Sequence, residues 1–187
     1  MTWTHQEYFR TFRLNVEQYG EILIAHIFEG TKMGDAQPCY DIDATNQNVR
    51  AALLATGIAQ ETVEACLPRT TAGSVRIEVK SKLAYTPTGR ANAIHCSENK
   101  IAGVRTFLPA THFAVILFDG EGNGTAAHAW LFRAELAQQL RRADTKSRYI
   151  PVPSLAKGSF EPSAGVVEIS QLINTAASAP LPPRNIA

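Results

Sequence analysis

The sequence predicts a mixed α/β (α+β) domain with a central mixed sheet flanked by helices. Three observations predict it: an amphipathic helical period at the start, strand signals at residues 74–83 and 113–118, and helical patterns placed between and after the strands. The length, 187 residues, suits one domain over 1–176, followed by a proline-rich tail over 177–187. A composition of 45% hydrophobic and 19% charged residues favours a packed core over a disordered chain.

Taken in order, Thr4 to about Phe28 reads as one long helix. Tyr8, Phe12, Val16, Tyr19, Leu23 and Ile27 recur every three or four residues on one face. Thr4 and Glu7 have the capping-box spacing, and Gly30 stands where a left-handed turn would close the helix. A turn-rich stretch from Gly30 to Pro38 leads to a short strand, Cys39–Ala44. Residues 46–67 read as a helical insertion broken at Gly57, with Pro68 ending its second part.

Ser74 to Leu83 alternates with period two. Val75, Ile77 and Val79 fall on one face, and Arg76, Glu78, Lys80 and Lys82 on the other. Thr86-Pro-Thr-Gly89 is a turn, and Ser97 caps a short helix starting at Glu98. Phe113–Phe118, apolar throughout, reads as a strand buried on both faces. The glycine-rich turn Asp119–Gly124 joins it to a second strand, Thr125–Phe132. A helix at Ala134–Arg142, a strand at Val166–Ile169 and a short helix to about Ala176 follow. The tail from Ala177, with Pro180, Pro182 and Pro183, reads as poorly ordered.

Composition also excludes some functions. A formal charge of +1 excludes a globally basic nucleic-acid coat, though not a local basic groove. No apolar run approaches the roughly 20 residues that span a bilayer, and the first residues lack a signal-peptide pattern. Cys39, Cys66 and Cys96 are odd in number and widely spaced, which argues against a disulfide scaffold or cysteine-rich zinc site. A reduced, cytoplasmic setting is expected. The histidines (His5, His26, His95, His112, His128) show no zinc spacing, and structural roles are expected for His26 and His95. Gly120-Glu-Gly-Asn-Gly124 lacks the Lys-Ser/Thr of a phosphate-binding loop, and no Gly-x-Ser-x-Gly elbow occurs. Trp3, Trp130 and the phenylalanines sit at core-like positions.

Glu78-Val-Lys80 is the sharpest chemical feature. On a strand it sets a carboxylate and an ammonium side by side while Val79 enters the core. Such a carboxylate can hold a hard cation such as Mg²⁺, and a desolvated lysine whose pKa falls can help deprotonate a nearby water. Asp41 offers a second carboxylate and Glu21 a third acidic group. Taken singly, each has a plainer reading: an alternating charged sheet face, a strand-end aspartate, an exposed helix glutamate.

The order of these residues resembles the PD-(D/E)XK nuclease superfamily, the restriction-endonuclease-like fold. The residues that carry the resemblance are Gly20-Glu-Ile-Leu-Ile-Ala-His-Ile-Phe-Glu-Gly30 on a helix, Tyr40-Asp41 on a strand, and Arg76-Ile-Glu-Val-Lys-Ser81. The resemblance covers roughly residues 8 to 118. It implies that Asp41, Glu78 and the Val79 carbonyl bind Mg²⁺, with Mn²⁺ able to substitute. It implies that Lys80 is the catalytic lysine and Glu21 an auxiliary acid, and Ser81 fits the small polar residue that often follows the lysine. Tyr40 stands where the family usually has proline, which leaves Asp43 as an alternative ligand. The 37 residues between Asp41 and Glu78 require the segment 46–67 to be an insertion between neighbouring strands.

The implied activity is metal-dependent deoxyribonuclease cleavage, restriction-type or defence-related, by a homodimer acting on DNA. The alternative is a DNA-binding or scaffolding module of the same fold without catalysis. Arg76, Lys82, Arg90, Lys100 and Arg105 are the candidate nucleic-acid contacts, with Arg141, Arg142, Lys146 and Arg148 forming a second basic cluster. Singly, each reads as ordinary surface charge.

Overall fold

The computed structural model describes residues 3–12, 14–67, 73–83, 93–120, 123–143, 149–151 and 165–181. The expected turn at Thr86–Gly89, and with it Arg90, Pro68, Lys146, Arg148, Pro182 and Pro183, lies outside the described residues. Among the described residues there are seven helices: α1 His5–Phe12, α2 Val16–Ile27, α3 Asn46–Ala55, α4 Gln60–Cys66, α5 Glu98–Ala102, α6 Ala134–Ala143 and α7 Ser170–Ser178. The strands are β1 Thr31–Lys32, β2 Ile42–Thr45, β3 Ser74–Leu83, β4 Ala93–His95, β5 His112–Phe118, β6 Ala126–Arg133, β7 Tyr149–Pro151 and β8 Val167–Glu168. The architecture is the mixed α/β class that the sequence predicts.

Six strands form one mixed sheet in the order β1-β2-β3-β5-β6-β8, and β4 and β7 pair separately. β3 runs antiparallel to β2 and parallel to β5, with Glu78 opposite Phe113 and Lys80 opposite Val115. β5 is buried along its whole length, as its apolar run requires. One core lies between the sheet and α2, α3, α4 and α7, and takes Val75, Ile77 and Val79 of β3. The second lies on the opposite face, where Phe113, Val115 and Phe132 meet α6 and the β4–β7 pair.

The opening helix is two helices. Asn15 has extended backbone angles (φ −70°, ψ 154°), and its side-chain oxygen accepts the Gln18 N–H at 2.8 Å, which starts α2 afresh. The break removes Phe12 from the apolar stripe and leaves it 57% exposed, and Trp3 is exposed as well. Trp130, by contrast, is buried. The capping box is formed: Glu7 N donates to Thr4 Oγ1 at 3.1 Å, and Thr4 N to Glu7 Oε2 at 2.8 Å. At the end of α2 the left-handed residue is Glu29 (φ 47°), not Gly30. Gly30 instead lies against Ile42, where a Cβ would come within 2.7 Å of Ile42 Cγ2.

The insertion is two helices broken at Gly57, as its sequence indicates. The strand expected at Cys39–Ala44 begins only at Ile42, because Cys39 and Tyr40 turn into the second core. The tail is ordered further than its composition indicates. α7 runs to Ser178, and the chain up to Leu181 pairs with the N-terminus: His5 N donates to Ala179 O at 3.1 Å and Leu181 N to Trp3 O at 2.7 Å.

Gly20 sets how closely α2 approaches β3. A Cβ there would overlap Ser81 Oγ and come within 3.3 Å of Ile116 Cδ1. Ser81 therefore faces the helix, on the opposite side of β3 from Glu78 and Lys80. Gly20→Ala should cost about 1–3 kcal/mol by overpacking. Ser81 Oγ is buried without a hydrogen-bond partner among the described residues, so Ser81→Ala should relieve much of that cost. Urea unfolding of the double-mutant cycle measures the coupling.

His112 is buried, with Nε2 2.8 Å from Cys66 O and Nδ1 2.9 Å from Thr111 Oγ1. A carbonyl only accepts, so Nε2 carries the proton. Burial is the main cause that lowers the His112 pKa to about 4. His5, whose ring lies tilted against that of His26 with centroids 4.7 Å apart, is likewise lowered to about 4, mainly by burial. A histidine depressed in the folded state contributes stability that is present above its unfolded value near 6.5 and lost as pH falls towards 4. Unfolding free energy should therefore drop by about 2 kcal/mol or more across that window. His112→Gln, which keeps a donor for the Cys66 carbonyl, should flatten the slope measured by urea titration.

Candidate active site

β3 carries Glu78 and Lys80 on the face opposite α2, with β5 beside it in the sheet and Lys100 of α5 reaching in to Glu78. Glu78 is 0% exposed. A carboxylate taken fully out of water must be compensated. Two ammonium groups do this: Lys80 Nζ lies 2.7 Å from Oε1 and Lys100 Nζ 2.9 Å from Oε2. Among the described residues no neutral donor shares the task. The solvated, alternating-charge face that the strand pattern alone allows is therefore not what forms.

Asp41, just before β2, comes to the same place. Its Oδ2 accepts the Val79 N–H at 2.8 Å, and its own N–H donates to Ile77 O at 3.0 Å. It is thus clamped to the strand residue between Glu78 and Lys80. By the two-residue repeat of a strand, the Val79 carbonyl points the same way as that of Ile77, towards Asp41. Asp43 is engaged elsewhere, by Tyr40 Oη at 3.4 Å and by Ser74 Oγ.

Glu21 is ion-paired with Lys32 of β1 at 2.7 Å. The α2 acid that acts on Lys80 is Glu17, one turn earlier, which the sequence reading missed. For Lys80, burial is the largest influence and lowers the pKa, but the charges of Glu78, Asp41 and Glu17 and the hydrogen bond to Glu78 carry it above the ordinary lysine value. This corrects the expectation of a lysine that loses its proton: Lys80 is a fixed ammonium. For Glu78, burial is again the largest influence and raises the carboxyl, with Asp41 adding to it and the two lysines opposing.

The candidate nucleic-acid contacts divide. Lys100 faces inward onto Glu78, and Arg76 is tied through Nε to Pro109 O at 2.7 Å. Arg76 also borders a cavity of about 370 Å³ shared with Thr111, Arg133 and Glu135. Lys82 is half-buried, and Arg105 is exposed with a left-handed φ of 53°. Arg90 lies outside the described residues, and of the second basic cluster only the backbone of Arg141 and Arg142, in α6, is described. His95 meets Tyr149 edge-to-face at 5.5 Å, where the β4–β7 pair forms. The three cysteines are free and buried.

The donor set suits a hard cation. Two carboxylates and a carbonyl are the kind of donors that a Mg²⁺ ion takes while keeping several waters. Among the described residues no group of three His, Cys, Asp or Glu side chains converges. No helix among them is long and apolar enough to cross a membrane. No family model matches the chain, and no curated protein matches it significantly.

Glu78 is the largest of the charges that hold the Lys80 ammonium up. In Glu78→Gln burial should prevail, and the Lys80 pKa should fall below the ordinary lysine range. Nitrogen-detected NMR titration of the lysine Nζ resonances measures this, and an unchanged value would contradict the pairing.

Proposed function

We propose that this chain is a divalent-metal-dependent deoxyribonuclease of the PD-(D/E)XK type, acting on DNA as a homodimer. One observation carries the reading: Asp41 reaches across 37 residues to bond the backbone between Glu78 and Lys80. An alternating charged strand has no need of that convergence, whereas phosphodiester hydrolysis needs acid ligands and a cation at one point. Asp41, Glu78 and the Val79 carbonyl would hold Mg²⁺ or Mn²⁺. When bound, the metal withdraws charge from the phosphate and lowers the pKa of its water.

The remaining work falls to the chain itself. Lys80, kept charged by its neighbours, offers a fixed ammonium to the charge that builds on the phosphate oxygens. Desolvation strengthens that interaction, since the Glu78 carboxylate beside it has no exposure to water. Glu17, exposed on α2, adds negative charge that acts on Lys80 and would be the auxiliary acid in place of Glu21. Arg105 and Lys82 offer positive charge to the flanking backbone. Two active sites are needed to cut both strands of a duplex, which is the reason for a symmetric dimer.

The purified protein should nick or cut duplex DNA with Mg²⁺ or Mn²⁺ and lose that activity in EDTA. Glu78→Gln and Lys80→Met should each lower the rate by about a hundredfold or more with the circular dichroism spectrum unchanged. Undiminished cleavage by the double variant would end the assignment. A second reading has one observation in its favour, namely that two lysines neutralise Glu78 without any metal. It makes the chain a DNA-binding or scaffolding module of the same fold. It predicts salt-sensitive DNA binding with neither cleavage nor heat on Mn²⁺ titration.

A further inference from the structure

We infer that Lys100 is the resident occupant of the cation position: its ammonium neutralises Glu78 in the metal-free protein and leaves when a divalent ion binds. This rests on the reading of Asp41 and Glu78 as metal ligands and adds a residue to it from an element outside the Glu-x-Lys strand. Both oxygens of Glu78 are already taken, one by each lysine, at 2.7 and 2.9 Å. A hard cation that binds this carboxylate must therefore displace an ammonium group.

Lys100 is the one that can go. Lys80 rises from the same rigid strand two residues on, and Glu78, Asp41 and Glu17 all act on it. Lys100 reaches in from α5, a helix of five residues, and Glu78 is its ion-pair partner. The backbone of α5 is anchored. Asn99 Nδ2 donates to Pro38 O at 3.1 Å, and Ala110 N donates to Lys100 O at 2.8 Å. Release thus needs only rotation of a long, flexible side chain, with no movement of the helix.

Charge balance points the same way. Asp41, Glu78, Lys80 and Lys100 together are neutral. Adding a divalent ion to all four leaves two uncompensated positive charges in a site closed from water on one side. With Lys100 withdrawn a single positive charge remains, and one phosphodiester, with its one negative charge, neutralises it. Counting these four side chains, and leaving aside the exposed Glu17 on the other face of the sheet, the exchange is neutral without metal and neutral again with metal and substrate together.

The test is Mn²⁺ titration by calorimetry at pH 8, without DNA, on the wild-type chain and on Lys100→Met, Lys100→Gln and Glu78→Gln. Either Lys100 variant should bind Mn²⁺ about tenfold more tightly than wild type. Each should melt lower than wild type without metal and gain more in melting temperature on adding Mn²⁺. Lys100→Gln retains a hydrogen-bond donor to Glu78, so it serves if Lys100→Met does not fold. Unchanged or weaker Mn²⁺ binding in the folded variants, with wild-type binding abolished by Glu78→Gln, would overturn the exchange and leave the metal site standing. No Mn²⁺ binding in wild type or in any variant would overturn both.

Discussion

A carboxylate with no exposure to water is the constraint around which this fold is arranged. Leaving Glu78 buried and unpaired would cost several kcal/mol, comparable with much of the net stability of a domain. The two ammonium groups that compensate it come from different elements, Lys80 from β3 itself and Lys100 from α5. Satisfying one charge therefore fixes the position of α5 over the sheet. That helix in turn holds the loop before Asp41, through the bond from Asn99 to Pro38. The acidic site and the local tertiary structure are one problem with one solution.

The two faces of β3 divide the labour. One is apolar and is pressed against α2 so closely that Gly20 and Ser81 touch without room for a further carbon. That contact holds the strand rigid. The other face can then carry charge at defined spacing, with β5 as a fully buried parallel neighbour that keeps water away. A strand held in place with a desolvated polar face is what the proposed hydrolytic site would require, since electrostatic stabilisation depends on groups that do not reorganise during reaction. Desolvation alone would lower the Lys80 pKa, as the sequence suggests, but its neighbours reverse that behaviour. The charges of three carboxylates outweigh its burial and hold its pKa above the ordinary lysine value.

Much of the fold was legible in the residue pattern. The alternation of Val75, Ile77 and Val79 with Arg76, Glu78 and Lys80 set the faces of β3, and the apolar run from Phe113 to Phe118 marked the central strand. Thr4 with Glu7 marked the first helix start. Other features were written locally but outweighed: Asn15, three residues before Gln18, carries a cap signal, yet the three-and-four spacing of apolar residues runs straight through it. The strand Ile42–Thr45 starts late because Cys39 and Tyr40 are drawn into the second core, which no local pattern records. The end of the chain beyond Ala177 reads as loose from its prolines but is held by backbone bonds to Trp3 and His5, partners nearly the whole length of the chain away.

The sequence by itself determined which residues share a face and where the long central strands and most helices begin, because backbone sterics, side-chain periodicity and capping act over a few residues. It did not mark the short strands Thr31–Lys32, Ala93–His95 and Tyr149–Pro151. Tertiary structure alone decided that Glu78 is buried, that Asp41 bonds at Val79, that Glu17 rather than Glu21 acts on Lys80, and that Lys100 turns inward. Burial and charge pairing arise from contacts between segments far apart in the chain, and the same lysine reads identically in sequence whether it meets solvent or a carboxylate.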